Sequence, residues 1–377
     1  MNQSPEFKPY PLASAPVYSR WLVSGVVLLA LMSAGSEFVV LLIEPQLAAV
    51  AVVAVLLSWT LALLLRVLYY RLNRHNAQSY AEAAERVRQA WWARHRQKAA
   101  LVEAVLLGAG CTRPEHRQAL FNPDCQPPRP EETPEGPTIR LRQVFGSDVA
   151  ERERQLAILL ALHWQVQRKE FTALAPLKCY WQGSLAAWQA FVQEMALHSP
   201  QLHLPEQPEP WQGIASLNAI IDQLQGAPEE ARILCGGCHC SPARQEHPMA
   251  AGEAAVLWVF GPRGGVRFTR GEWFSADAES LTTVAARALQ QSELQAPAPT
   301  CVSFSQPHLS DLAAIGWNTS QNLQDENFGA LASLEAMVVQ TLAAWHAQQH
   351  AEPCAWLAND PHHTLALGIV EADDSSN

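Results

Sequence analysis

The chain has 377 residues, a formal net charge of −10 and eight cysteines. The acidic balance excludes nucleic acid as the main partner, because phosphate binding needs a basic face. Cysteines scattered through a chain long enough to bury its own core exclude a secreted disulfide framework.

Residues 1–20 read as a short tail, and 21–70 as a two-helix transmembrane hairpin. The run 21–43 holds one acid and no base, and the run 47–65 holds no charge. At ~1.5 Å per residue each run covers the ~30 Å hydrocarbon core. In lipid, a helix satisfies its own backbone hydrogen bonds over that length. The break at Glu44-Pro45-Gln46 is short enough only for a tight turn, so both runs return to one side. Lys8 and Arg20 precede the first run, and Arg66, Arg71, Arg74, Arg86 and Arg88 follow the second. Positive charge stays inside, which predicts a two-pass protein of a bacterial inner membrane with both ends cytoplasmic and lipid as one partner. Glu37 stands within the first run. It reads either as a buried carboxylate that pairs or relays protons, or as a side chain snorkelling to the outer surface; the second reading is the plainer.

The segment 71–122 is expected to be helical, with one long helix over 76–107 rich in Ala, Glu, Arg and Gln. A Pro- and Glu-rich linker occupies 123–137, an α/β domain 138–371 and an acidic tail 372–377. Within the domain, a strand is expected at 138–144, then a helix at 150–167 capped by Asp148. Helices at 184–197 and 214–225 and strands at 231–238 and 254–260 follow. Gly261-Pro-Arg-Gly-Gly265 reads as a hairpin turn into a strand at 266–270. A helix at 276–291, a strand at 299–304, a helix at 328–349 and strands over 354–370, broken at Pro361, complete the chain. Helices alternating with strands define an α/β class.

Three stretches carry a family resemblance. GIASLNAIIDQLQGAPEEARILCGGC at 213–238 reads as a helix with a short connection to a central strand. AGEAAVLWV at 251–259 is a turn and strand after a loop containing His247-Pro248. FGALAS at 328–333 opens a long helix leading to AWLAND at 355–360. In this order, 212–371 resembles the thiolase fold, in its β-ketoacyl synthase branch. The resemblance implies a layered α/β domain in which a Cys before the first of these helices takes an acyl group and two His polarise its carbonyl. This sequence departs from that set. Trp211-Gln212 stand where the Cys is expected. Asn327-Phe328-Gly329 replace a Gly-His pair, no Thr-His-Gly turn occurs, and His308 follows Gln306-Pro307. Trp211, Gln212 and Phe328 therefore mark pseudo-active-site positions, with no catalytic residue and no cofactor expected.

The resemblance thus implies a pseudoenzyme kept for binding, an adaptor or scaffold for a protein partner. A membrane hairpin before such a domain also resembles accessory proteins found with bacterial type VI secretion effectors, which implies a secreted effector or spike component as partner. The region 138–211 reads as a reduced first half of the fold, or a partner chain supplies that contact; a homo-oligomer through the thiolase-like domain is a further expectation.

Cys235-Gly-Gly-Cys238-His239-Cys240 is the sharpest remaining motif. C-x-x-C-H suits c-type haem attachment, and the added Cys suits zinc. Haem attachment belongs outside the cytoplasm, and ligands this close do not easily close a tetrahedron; the thiolase-like resemblance implies that 233–237 is a buried strand end, so structural cysteines are expected. Cys235 or Cys238 as a relocated acyl-accepting nucleophile is the enzymatic alternative. Asp360 with His362-His363 reads as a surface turn, with a metal or base as the other reading.

Overall fold

The structure is a computed structural model that describes residues 5–39, 45–113, 115–122, 124–146, 148–168, 175–246, 249–307 and 309–373. The chain divides into two compact units, Met1–Ala93 and Arg94–Asn377.

The first unit holds α1 (Tyr18–Val39) and most of α2 (Pro45–His95). The second expected span and the expected downstream helix are one continuous helix of 51 residues. Among the described residues, only the Ala49–His95 part of α2 is long and apolar enough to cross a membrane, and the apolar part of α1, Tyr18–Ala34, is shorter. Of the expected pair of full-length spans, one is seen among the described residues, and residues 40–43 of the first span with Glu44 of the expected turn lie outside them. Within the unit α1 lies against α2: the Trp59 indole donates to Ser24 Oγ at 3.3 Å, and the Trp21 and Trp59 rings are 6.2 Å apart. Gly25 permits this approach, because a Cβ there would lie 2.9 Å from the Trp59 ring. The N-terminal segment also runs along α2. Asn73 Oδ1 accepts the Ala13 N–H at 2.7 Å, and Arg66 donates to the Ser14 carbonyl at 2.9 Å. The side chain of Glu37 lies outside the described residues.

The second unit opens with β1 (Ala99–Gly108), where the sequence pattern suggests the end of a helix. A run with apolar residues on both faces carries no alternation to mark it as a strand. Next come α3 (His116–Ala119), β2 (Glu131–Thr133), β3 (Gly136–Ile139), α4 (Val149–Gln167), β4 (Lys178–Gln182) and α5 (Leu185–His198). Then follow β5 (Glu209–Pro210), α6 (Ile214–Leu224), β6 (Ile233–Cys240) and β7 (Ala251–Gly261). The strand expected over 138–144 thus ends at Ile139. The remaining elements are β8 (Val266–Phe268), β9 (Glu272–Phe274), α7 (Leu281–Gln291), β10 (Thr300–Ser303), α8 (Leu309–Ala314), β11 (Asn322–Leu323) and α9 (Asp325–Phe328). A 3-10 turn at Ala332–Leu334 leads into α10 (Glu335–His350), β12 (Cys354–Ala358) and β13 (Leu365–Glu371). The expected helix over 328–349 is interrupted at Gly329, whose φ of +68° ends α9.

The strands form one sheet in the order β11-β10-β12-β13-β8-β1-β7-β6-β4-β5, with β9 also on β13. This order contains a repeat. In the first half β5, β4 and β6 run parallel, and β7 then β1 follow antiparallel. In the second half β11, β10 and β12 run parallel, and β13 then β8 and β9 follow antiparallel. The halves join where β1 pairs with β8. The turn at 261–265 is therefore no hairpin, because β7 and β8 flank β1 on opposite edges. Gly265, at φ +67°, crosses so close to the end of β1 that a Cβ would lie 2.0 Å from the Leu101 carbonyl.

Three apolar clusters define the layers. Helices α6 and α10 share the central cluster with one face of β6, β7, β12 and β13. The opposite face of β6 and β7 packs on α4 and α5, and that of β12 and β13 packs on α7 and α8. Central position explains α10, whose residues from Glu335 to Ala347 are all buried and show no polar face.

Candidate functional site

The N-termini of the two central helices meet one loop, the connection between β12 and β13. Gly213 precedes α6 with φ 58° and ψ −131°, a conformation that side chains rarely adopt. The space a side chain would need is taken: an ideal Cβ on Gly213 would lie 2.3 Å from Asp360 Oδ2 and 2.9 Å from Pro361 Cδ. Asp360 Oδ2 accepts the Ile214 N–H at 3.1 Å, which satisfies an orphan donor at the helix start and complements its dipole. Oδ1 accepts the His362 N–H at 3.0 Å and lies 2.8 Å from His363 Nδ1. The His363 ring stacks on Trp273 at 4.8 Å. Asp360 is thus a buried linchpin rather than part of a free surface turn.

The neighbouring Asn359 Nδ2 donates to Glu335 Oε2 at 3.0 Å, at the start of α10. Burial raises the Glu335 carboxyl above its ordinary value; the Asn359 hydrogen bond opposes this, and the Asp325 charge adds to it. Glu335 lines a cavity of about 310 Å³ together with His239, Ser241, Arg244, Met249 and Ala330. On its wall Ser241 Oγ donates to the Ala330 carbonyl at 2.6 Å and lies 3.0 Å from His239 Nε2. His239 Nδ1 is 3.8 Å from Glu153. Burial lowers the His239 imidazole and raises the Glu153 carboxyl, so both are pushed toward their neutral forms.

The residues singled out in the sequence have separate fates. Trp211 is core, with its ring edge-on to Tyr180 and Trp258 at 6.3 and 5.6 Å. Gln212 is exposed, and its N–H donates to Ser216 Oγ at 2.8 Å. The residue directly before α6 is Gly213, one step beyond the expected Trp211-Gln212 pair. Phe328 is fully buried against Gly108, where a Cβ would lie 2.4 Å from its ring. His308 and His247-Pro248 lie outside the described residues.

Strand β6 parts the cysteine motif. Cys235 enters the central cluster, whereas Cys238 and Cys240 enter the cluster under α4 and α5. Their side chains therefore do not converge on one point. Burial pushes the Cys235 and Cys238 thiols well up, and the Cys240 thiol up to about 11. Such thiols are poor nucleophiles.

Glu335 and Gly213 are the residues that sequence reasoning missed, and Asp360, singled out with His362-His363, was not linked to the start of α6. An Asn-Asp-Pro turn and a glycine immediately before an apolar helix were the available signals, but neither shows which helix the turn touches.

No protein-family model and no curated protein matches this sequence. Solved structures do match. The ishigamide ketosynthase/chain length factor aligns at TM-score 0.54 and 14% identity, covering 73% of this chain and 99% of that one. The ketosynthase from module 1 of the bacillaene synthase of Bacillus amyloliquefaciens FZB42 aligns at 0.49 and 11%, covering 74% and 77%. An HMG-CoA synthase complexed with CoA aligns at 0.42 and 9%, covering 73% and 82%. At such identities the likeness speaks to architecture alone, and the first of these matches, together with the repeated strand order, identifies the fold as thiolase-like, of the ketosynthase type.

Proposed function

We propose that this chain is a membrane-anchored, non-catalytic thiolase-like protein that serves as adaptor or scaffold for a protein partner. One observation carries the reading: the backbone position before α6 has no side chain, and the Asp360 carboxylate fills its space. A covalent acyl intermediate needs a nucleophile there, and none is offered. The alternative, acyl transfer through Cys235 or Cys238, is disfavoured because both thiols are fully buried and held protonated. Metal or haem binding at 235–240 is disfavoured by the division of the motif between two faces of β6.

The apolar part of α2 supports anchoring, and the basic residues that follow its apolar run support a cytoplasmic α/β unit at a bacterial inner membrane. In this reading α1 completes a two-pass hairpin. The partner is a secreted effector or spike component of a type VI system, a choice that rests on the likeness of domain order.

Affinity purification of the full chain from detergent tests the adaptor role. One co-purifying protein in stoichiometric amount is the expected result. Recovery of the chain alone, or only of further copies of itself, would count against an adaptor. Intact mass after exposure to an acyl thioester tests the enzymatic alternative: an adduct lost on Cys235→Ser would restore it.

A further inference from the structure

A second cavity, of about 480 Å³, opens between the loop after β1, the segment before β2 and the segment after β3. Its lining is polar and basic. Arg129, Arg140 and Arg142 face it with one acid, Glu131, and with Asn122, Gln126 and Gln143. Arg140 is already engaged: it donates to Cys240 Sγ at 2.8 Å, to the Gly252 carbonyl at 3.1 Å and to the Ser241 carbonyl, and it lies 3.5 Å from Glu253. Arg129 and Arg142, both exposed, make no ion pair among the described residues. In a chain of net charge −10, two guanidinium groups that line one cavity without an ion partner among the described residues stand out from their surroundings. Guanidinium forks match the geometry of phosphate oxygens, and amide side chains supply further donors.

We infer that this cavity binds a phosphate group, gripped by Arg129 and Arg142. Arg140, which lines the same cavity, is held by Glu253. The phosphate belongs either to a soluble phosphorylated molecule or to a lipid headgroup, since the chemistry recognised is the same. The inference does not depend on the adaptor reading, because the cavity shares no residue with the loop between β12 and β13.

The molecule carries its own reporter. Cys125 lines the same cavity, and it is exposed while the other seven cysteines are buried. Alkylation of the full chain in neutral detergent by iodoacetate therefore reads the cavity directly, with Cys125→Ser identifying the modified thiol. Saturating inorganic pyrophosphate is expected to slow alkylation by about tenfold, equivalent to about 1.4 kcal/mol of protection. The doubly substituted Arg129→Gln, Arg142→Gln chain is expected to lose that protection while its other thiols stay closed, which shows that it remains folded. Protection by micelles doped with phosphatidic acid, but not by pyrophosphate, would assign the phosphate to a lipid. Labelling that neither probe slows, or slowing that survives in the double variant, would overturn the inference.

Discussion

At Gly213 the backbone conformation and the neighbouring carboxylate act together. Gly213→Ala places a methyl group against Asp360 Oδ2 in a strained conformation and is expected to cost about 1–3 kcal/mol. Asp360→Ala removes the acceptor of the Ile214 N–H, at a cost of about 1–2 kcal/mol. The two changes share one volume, so the double variant should cost less than their sum by about 0.5 kcal/mol or more. Thermal unfolding of the four chains in detergent measures this, and strict additivity would show that the carboxylate does not occupy the vacated space. Glu335 gives a prediction in pH. Its carboxyl, raised by burial, keeps its proton in the folded chain at pH values where the unfolded chain has released it. Its contribution to stability is therefore complete below the unfolded value and is lost as pH rises through the folded one. Glu335→Gln mimics the protonated form, keeps an acceptor for Asn359, and should unfold at higher temperature than the parent near about pH 8 but not near about pH 4. An equal difference at both pH values would contradict the burial argument.

Among the elements, β7 carries a buried charge that the strand could not hold alone. Arg152 on α4 meets Glu253 at 2.7 Å, Arg140 lies 3.5 Å away, and the carboxylate also accepts the Leu141 N–H. Glu253→Ala leaves two guanidinium groups without their anion and should cost about 3–5 kcal/mol, measured by denaturant unfolding. Strand β6 makes a simpler prediction. Titration with a thiol reagent should find one reactive cysteine in the native chain and eight after denaturation. Some elements were legible directly from residues: Asp148 accepts the Glu151 N–H at 3.0 Å, as a cap before α4 should. The burial of the 235–240 cysteines was expected from the resemblance, which makes this stretch the end of a central strand. β1 was not, because its apolar residues follow one another on both faces and leave no period to separate it from a helix. α10 was legible as a helix but not in its start, because the preceding turn is set by packing against Ala250 and Gly252.

For the whole molecule, the basic residues flanking the apolar runs predict which side of a membrane the α/β unit occupies. A reporter fused after Asn377 should be active in the cytoplasm, and activity restricted to the periplasm would reverse the orientation. The two halves of the sheet repeat one strand order, the first running from β5 through β4, β6 and β7 to β1. By itself the sequence determined the apolar segments, the alternation of helices and strands and the resemblance of 212–371, because each is written in residue type and local spacing. Only the tertiary structure decided that Asp360 reaches the start of α6, 146 positions away, and that Cys235 and Cys238 part to opposite faces of β6. Such juxtapositions follow from which surfaces the sheet buries, and that is settled by all the packed layers together rather than by any one segment.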